Sequence, residues 1–274
     1  MTTLVNASLL GTEVRTITAD SIKQDYRISV ALPPSYTAHP ERSYPTIYLT
    51  DANFYFGMVT ELTRIMSFGE ELPETIVVGI GYPTGEPLAE ATKEVIRLRA
   101  RDLIPVPDPA KAGDDSKPSG GPSAFLSFIQ SALIPLIEQE YRANPAARVL
   151  MGHSYGGLFT LYALFQRPQL FAGSVTGSPS LFYGDRVMFA SEAAFAEGQR
   201  SLPLKLYLGI GGREERVDDP MVSDFFQFVA RLESRRYEGL ALTWQIVENC
   251  DHCAFTAPTF QAGLQAVLSD HPKT

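Results

Sequence analysis

Gly152-His153-Ser154-Tyr155-Gly156 is the stretch of this chain with the plainest chemical meaning. A serine with a glycine two residues before it and another two residues after it suits a hydroxyl carried on a sharp strand-to-helix corner. The flanks agree with that geometry. Arg148-Val149-Leu150-Met151 reads as a short apolar strand, and Gly157-Leu158-Phe159 opens a helix. The small residues let strand and helix pass closely. The helix start aims free backbone N–H groups and the positive end of its dipole at the reacting centre. A bare G-x-S-x-G also occurs by chance in loops; strand before and helix after make this one a nucleophile elbow.

A serine hydroxyl is a weak nucleophile until a base takes its proton. The chain has four histidines. His39 lies in a His-Pro turn, His271 lies in the polar tail, and His153 flanks the serine and is expected to point elsewhere. His252 follows the last predicted strand, Leu242 to Val247, and is the expected general base and acid. The third partner is a carboxylate that fixes the imidazole tautomer and steadies the imidazolium. In the chain order that goes with this elbow, the acid falls between serine and histidine. The strand Leu204 to Ile210 runs into Gly211-Gly212-Arg213-Glu214-Glu215. Both glutamates qualify, Asp218 and Asp219 come later, and Asp251 abuts His252 at a poor angle; Glu214 is favoured. The oxyanion of an acyl transfer needs two aimed N–H donors. The backbone N–H of Tyr155 supplies one. The turn Asp51-Ala52-Asn53, after the strand Thr46 to Thr50, supplies the other, assigned to Ala52.

Cys250 and Cys253 bracket His252 as C-D-H-C and are the only cysteines. No second pair completes a zinc or disulfide framework, so both are expected to be packed thiols, with no metal and no cofactor. Lys and Arg number 23 against 31 Asp and Glu, a net charge of −8. No basic stripe suits a nucleic-acid partner, and no run approaches the ~18–20 apolar residues of a membrane span. The expected partner is a small-molecule ester, with the oligomeric state open. Met1 to Gly11 has no basic leader, which points to the cytoplasm.

The elements that would position these residues follow from pattern. Thr12 to Thr18 and Tyr26 to Leu32 alternate apolar and polar residues, as edge strands do. Thr75 to Tyr82 is β-branched and apolar, as in a strand covered on both faces. Phe56 to Phe68, Ser123 to Arg142 (with a kink at Pro135), part of Ser180 to Gly198, Met221 to Tyr237 and Ala257 to Leu268 read as helices. Strands and helices alternate from Thr46 onward. The fold expected is an α/β domain over residues 1–274, with a mostly parallel sheet, an antiparallel edge and helices on both faces. Residues 105–122 are rich in Pro, Gly, Asp and Ser and form a candidate mobile loop over the site.

With these residues quoted, the chain resembles the putative-esterase family of α/β-hydrolases, which includes esterase D, feruloyl esterases and ferric-enterobactin esterases. The resemblance runs from about Leu32 to Leu268. It takes in Tyr44-Pro45 through Asp51, Ile80-Gly81-Tyr82-Pro83, Arg101-Asp102-Leu103-Ile104-Pro105, Gly120-Gly121, the elbow, and Ser178-Pro179-Ser180. The elbow and the Arg-Asp-Leu-x-Pro segment are most similar to the siderophore-esterase branch. What the resemblance implies is hydrolysis of a ferri-siderophore trilactone or a related ester through Ser154, His252 and Glu214. Two other readings stand beside it: a general carboxylesterase for acylated sugars or small esters, and a non-catalytic binding member of the fold. Leu181-Phe182-Tyr183 stands where siderophore esterases often carry tryptophans, and Trp244 is the sole tryptophan. Arg97, Arg99 and Arg101 alternate with apolar residues. On an extended segment they would share a side, where Arg97 and Arg101 could bind an anionic ligand.

Overall fold

The computed structural model describes residues 8–85, 87–106 and 121–271. Strands β1 (Thr12–Ala19), β2 (Gln24–Ala31), β3 (Tyr44–Leu49), β4 (Ile76–Gly81), β5 (Ala143–His153), β6 (Gly173–Gly177), β7 (Lys205–Gly211) and β8 (Ala241–Val247) form one sheet in the order β1-β2-β4-β3-β5-β6-β7-β8. β2 pairs antiparallel with both β1 and β4, and every pairing from β4 to β8 is parallel. This is the mostly parallel α/β sheet with an antiparallel edge that the sequence pattern called for, and it has the arrangement of an α/β-hydrolase. β3 and β4 are buried at every position, which explains their unbroken apolar reading: a parallel sheet is covered on both faces.

The helices are α1 (Ala52–Phe68), α2 (Leu88–Leu103), α3 (Pro122–Phe128), α4 (Ile134–Glu140), α5 (Tyr155–Gln166), α6 (Tyr183–Gly198), α7 (Met221–Arg235) and α8 (Thr256–Leu268). On one face, Val59 and Met66 of α1 and Phe260 and Leu264 of α8 pack against Ile47, Val77, Val149 and Tyr207. The neighbouring strand residues Tyr48, Val78 and Leu150 point the other way and meet Phe125, Phe128 and Phe159 of α3 and α5. Leu206, Leu208 and Ile210 on that same second face meet Phe225 and Phe228 of α7. The period-2 alternation of the strands thus splits one apolar run into two cores.

One local expectation is corrected. The segment holding Arg97, Arg99 and Arg101 is helical, not extended. Its Leu, Ala, Glu, Lys and Arg content favours a helix, and its buried positions Val95, Leu98 and Asp102 recur at three- and four-residue spacing. The Arg alternation is incidental to that period. Around Pro135 the chain widens into a π-turn, Ile129–Leu133, between α3 and α4. Proline offers no N–H to the carbonyl one turn back, and the wider turn absorbs the defect. The proline-rich loop expected at 105–122 falls largely outside the described residues.

Because β3 and β5 to β8 run parallel, their carboxyl ends share one edge. Asp51, Ser154, Ser178, Glu214 and His252 all follow those ends. A crevice at that edge is where an open α/β sheet binds ligands.

Candidate active site

Ser154 sits between β5 and α5 with φ 62° and ψ −120°. That backbone is costly for a residue with a Cβ and persists only where its surroundings hold it. Ser154 N–H donates to Gly177 O at 2.9 Å, and Ser154 O accepts from Leu158 N–H at 2.9 Å. The flanking glycines are enforced by space. A Cβ on Gly152 would lie 2.4 Å from Gly156 O, and one on Gly156 would lie 2.5 Å from Thr50 Oγ1. A Cβ on Gly157 would lie 2.5 Å from Gly177 O.

Ser154 lines a cleft of about 270 Å³ together with Tyr155, Phe182, Arg213, Glu214 and His252. His252 Nδ1 and Glu214 Oε2 are 2.5 Å apart. The Glu214 side chain is almost wholly buried. Its other oxygen, Oε1, accepts from Gly211 N–H at 2.7 Å and from the Ser178 hydroxyl at 2.7 Å. A buried carboxylate with three donors converging on it is both satisfied and fixed in rotamer. Glu215 lies elsewhere. It is exposed, and its carboxylate accepts from the N–H groups of Val222 and Ser223 at 2.8 and 2.9 Å, at the start of α7. Asp251 and Asp219 also line the cleft, while Asp251 O accepts from Phe255 N–H.

His153 does not line the cleft but is buried beside His252. Its ring centroid lies 4.7 Å from that of His252, and Tyr55 and Phe260 present edges to it. It is buried, and neither ring nitrogen has a hydrogen-bond partner among the described residues. Burial first, then the neighbouring His252 and Arg99, lowers its pKa to about 3, so this imidazole stays neutral.

The turn expected to give the second oxyanion donor is the start of α1. Asp51 adopts a left-handed backbone, φ 55° and ψ 37°, and Ala52 opens the helix. The first N–H groups of a helix have no partner within it, so Ala52 N–H at α1 and Tyr155 N–H at α5 both belong to open helix starts. Asn53 ties the turn to the end of β4: its Nδ2 donates to Tyr82 O at 2.9 Å, and its Oδ1 accepts from Tyr82 N–H at 2.7 Å.

The two arginines expected to bind ligand do not line this cleft. Arg97 bonds Glu94 one turn away on the outer face of α2, at 2.8 and 2.6 Å. Arg101 bonds Asp102 at 2.6 and 2.9 Å and Gln24 at 2.9 Å, beside a buried Tyr26–Asp102–Tyr82 cluster. The guanidinium groups of the cleft belong instead to Arg213 and Arg216, which sequence reading passed over although both adjoin the acid loop. Ser178 was legible only as part of Ser-Pro-Ser after a strand. Arg99 was legible only as the middle member of the arginine alternation, with no partner assigned. Cys250 is half-buried, but Cys253 is exposed rather than packed, and both are free. Among the described residues no group of three or more His, Cys, Asp or Glu side chains could hold a metal ion, and no helix is long and apolar enough to cross a membrane.

Comparison with known proteins bears on what such a cleft does. The model of the family described as "Putative esterase" matches residues 19–243. The ferri-bacillibactin esterase BesA of Bacillus subtilis (strain 168) is 31% identical over 237 residues, covering 84% of this chain and 80% of that protein. The siderophore enterobactin esterase of Emericella nidulans is 33% identical over 205 residues, covering 69% of this chain and 66% of that protein. Among solved structures, the siderophore hydrolase EstB of Aspergillus nidulans superposes with a TM-score of 0.82 at 24% identity, covering 99% of each chain. The BES protein of Bacillus cereus superposes equally well, with a TM-score of 0.82 at 23% identity over 97% of this chain and 98% of that one.

Proposed function

The chain belongs to the putative-esterase family and is a carboxylic ester hydrolase; from that premise we propose that it cleaves ferri-siderophore trilactone esters by an acyl-enzyme route through Ser154, His252 and Glu214. The observation that carries the mechanism is the 2.5 Å contact between His252 Nδ1 and a buried, doubly anchored Glu214, in the cleft that holds the elbow serine. The substrate class comes from the two siderophore esterases named above.

Glu214 accepts a hydrogen bond from the Nδ1–H of His252, which leaves Nε2 with a lone pair for the Ser154 hydroxyl. Ser154 Oγ attacks the ester carbonyl as Nε2 takes its proton. The carbonyl oxygen becomes an oxyanion and accepts from Tyr155 N–H and Ala52 N–H. His252, now an imidazolium paired with Glu214, gives its proton to the departing alkoxide. A water then attacks the acyl-enzyme carbonyl with the same histidine as base, releasing the acid and restoring Ser154. In each half His252 takes one proton and gives it up again, to the departing alkoxide in the first and to Ser154 Oγ in the second. Arg213 and Arg216 stand at the cleft to meet anionic groups of a catecholate–iron complex, and Phe182 supplies an aromatic wall.

The test is hydrolysis of a ferric catecholate trilactone by wild type and Ser154→Ala, run beside p-nitrophenyl acetate and butyrate. Fast trilactone cleavage that is lost in Ser154→Ala supports the proposal. Cleavage of the nitrophenyl esters alone would leave a general carboxylesterase and discard the siderophore assignment. Failure of a fluorophosphonate probe to label Ser154 would discard the serine mechanism.

A further inference from the structure

The residue before α1 breaks a local rule. Asp51 occupies the N-cap position, and aspartate there ordinarily accepts a hydrogen bond from the second or third helical N–H. Its side chain caps nothing. Both carboxylate oxygens instead accept from Arg99 of α2, from Nε and Nη2, each at 2.8 Å. The Asp51 side chain is fully buried and that of Arg99 is 12% exposed. The same guanidinium lies over the Tyr155 ring, 5.0 Å from its centroid. One planar cation therefore touches the residue before Ala52 and the side chain of Tyr155. These are the two segments to which the oxyanion donors are assigned above. The segments are also in direct contact: a Cβ on Gly156 would lie 3.1 Å from Asp51 Oδ2.

From this geometry we propose that Arg99 is a positioning residue for the oxyanion hole: it pairs with and pins the buried Asp51 carboxylate beside the start of α1, and so fixes the spacing between the Ala52 and Tyr155 N–H groups. The inference rests on the serine-esterase reading above. Arg99 does not line the cleft. It acts by neutralising a buried negative charge next to the N–H groups that must receive another one. Left unpaired, that carboxylate would repel the oxyanion. Bidentate, planar recognition with a stacked face is work for arginine and not for lysine.

The discriminating set is Arg99→Met, Arg99→Lys and the double variant Asp51→Asn/Arg99→Met, each compared with wild type and Ser154→Ala on p-nitrophenyl butyrate. Removing one oxyanion donor lowers kcat by ~10²–10³. Arg99→Met is expected to fall by about that factor, with KM changed less than ~3-fold, because the interaction is made in the transition state. Affinity for a trifluoromethyl ketone, which forms a hemiketal oxyanion on Ser154, is expected to fall in parallel. The double variant removes the stranded carboxylate and is expected to recover part of kcat. A merely structural role would lower thermal stability without moving the kcat-to-KM split or the ketone affinity. The inference is overturned if folded Arg99→Met keeps kcat within about 3-fold, or loses only KM. Should Arg99→Met not fold, Arg99→Lys decides on the same criteria. If Ser154→Ala keeps the wild-type rate, the serine-esterase reading itself fails; if it is inactive while the Arg99 variants are normal, only this inference fails.

Discussion

Glu214→Gln and Glu215→Gln, made separately, ask which of two adjacent glutamates supports His252, and the proposed role of Glu214 gives each variant a definite outcome. Oε1 of Glu214 is held by two donors, Gly211 N–H and the Ser178 hydroxyl. In Glu214→Gln the amide oxygen takes that place, because an NH2 group there would face two donors. The amide NH2 is then forced toward His252 Nδ1. Nδ1 must accept, so Nε2 carries the ring proton and cannot take one from Ser154. The wrong tautomer in an otherwise intact triad costs ~10⁴ in kcat, about 5.5 kcal/mol at 1.36 kcal/mol per decade. Stability changes little, since both Oε1 bonds survive. Glu215→Gln touches only the start of α7. It loses a favourable charge at a helix N-terminus, ~0.3–1 kcal/mol of stability, and keeps kcat. The assay is steady-state hydrolysis of p-nitrophenyl butyrate, with melting temperature as the control for folding. Retention of kcat within tenfold by Glu214→Gln, or its collapse in Glu215→Gln, would refute the tautomer argument.

Ser178→Ala removes one of three donors to Glu214; a hydrogen bond to a charged group is worth ~1.5–3 kcal/mol, so kcat is expected to fall between about 10- and 100-fold if the carboxylate shifts, and an unchanged kcat would show that Gly211 N–H alone holds it. His153 has a folded-state pKa of about 3 against an ordinary 6.5. The unfolded chain therefore binds more protons between those values, and stability present above pH 6.5 is lost on acidification toward pH 3, by up to roughly 4–5 kcal/mol. Melting temperature against pH should show that slope in wild type and a shallower one in His153→Gln; equal slopes would mean burial does not keep His153 neutral. Arg213→Glu and Arg216→Glu, at the cleft, should raise KM for a ferric catecholate trilactone and spare a neutral nitrophenyl ester, whereas Arg97→Glu, paired outside this cleft with Glu94, should leave both unchanged.

What the sequence determined by itself is what one strand, one corner and the chain order encode. Period-2 and unbroken apolar runs named the strands, because a side chain's face in a sheet is set by its own position. The G-x-S-x-G corner named Ser154, because the glycines are required by contacts within a few residues and one neighbouring strand. Strand ends and a short inventory of histidines brought His252 and Glu214 forward as candidates. The Arg97 to Arg101 segment was misjudged for the complementary reason: alternation over five residues fits an extended face as well as a helix, and only the burial of Val95, Leu98 and Asp102 against the sheet chooses. The side-chain alliances were beyond reach of the sequence. Glu214 is separated from Ser178 by 36 residues and from His252 by 38, and Arg99 from Asp51 by 48. Parallel strands carry distant loops to one edge, and which side chains then meet depends on twist, register and packing that no local pattern records. The tertiary structure alone decided that Ser178 holds Glu214, that the His153 ring packs at a tilt beside His252, and that Arg99 pairs with the Asp51 carboxylate at the start of α1.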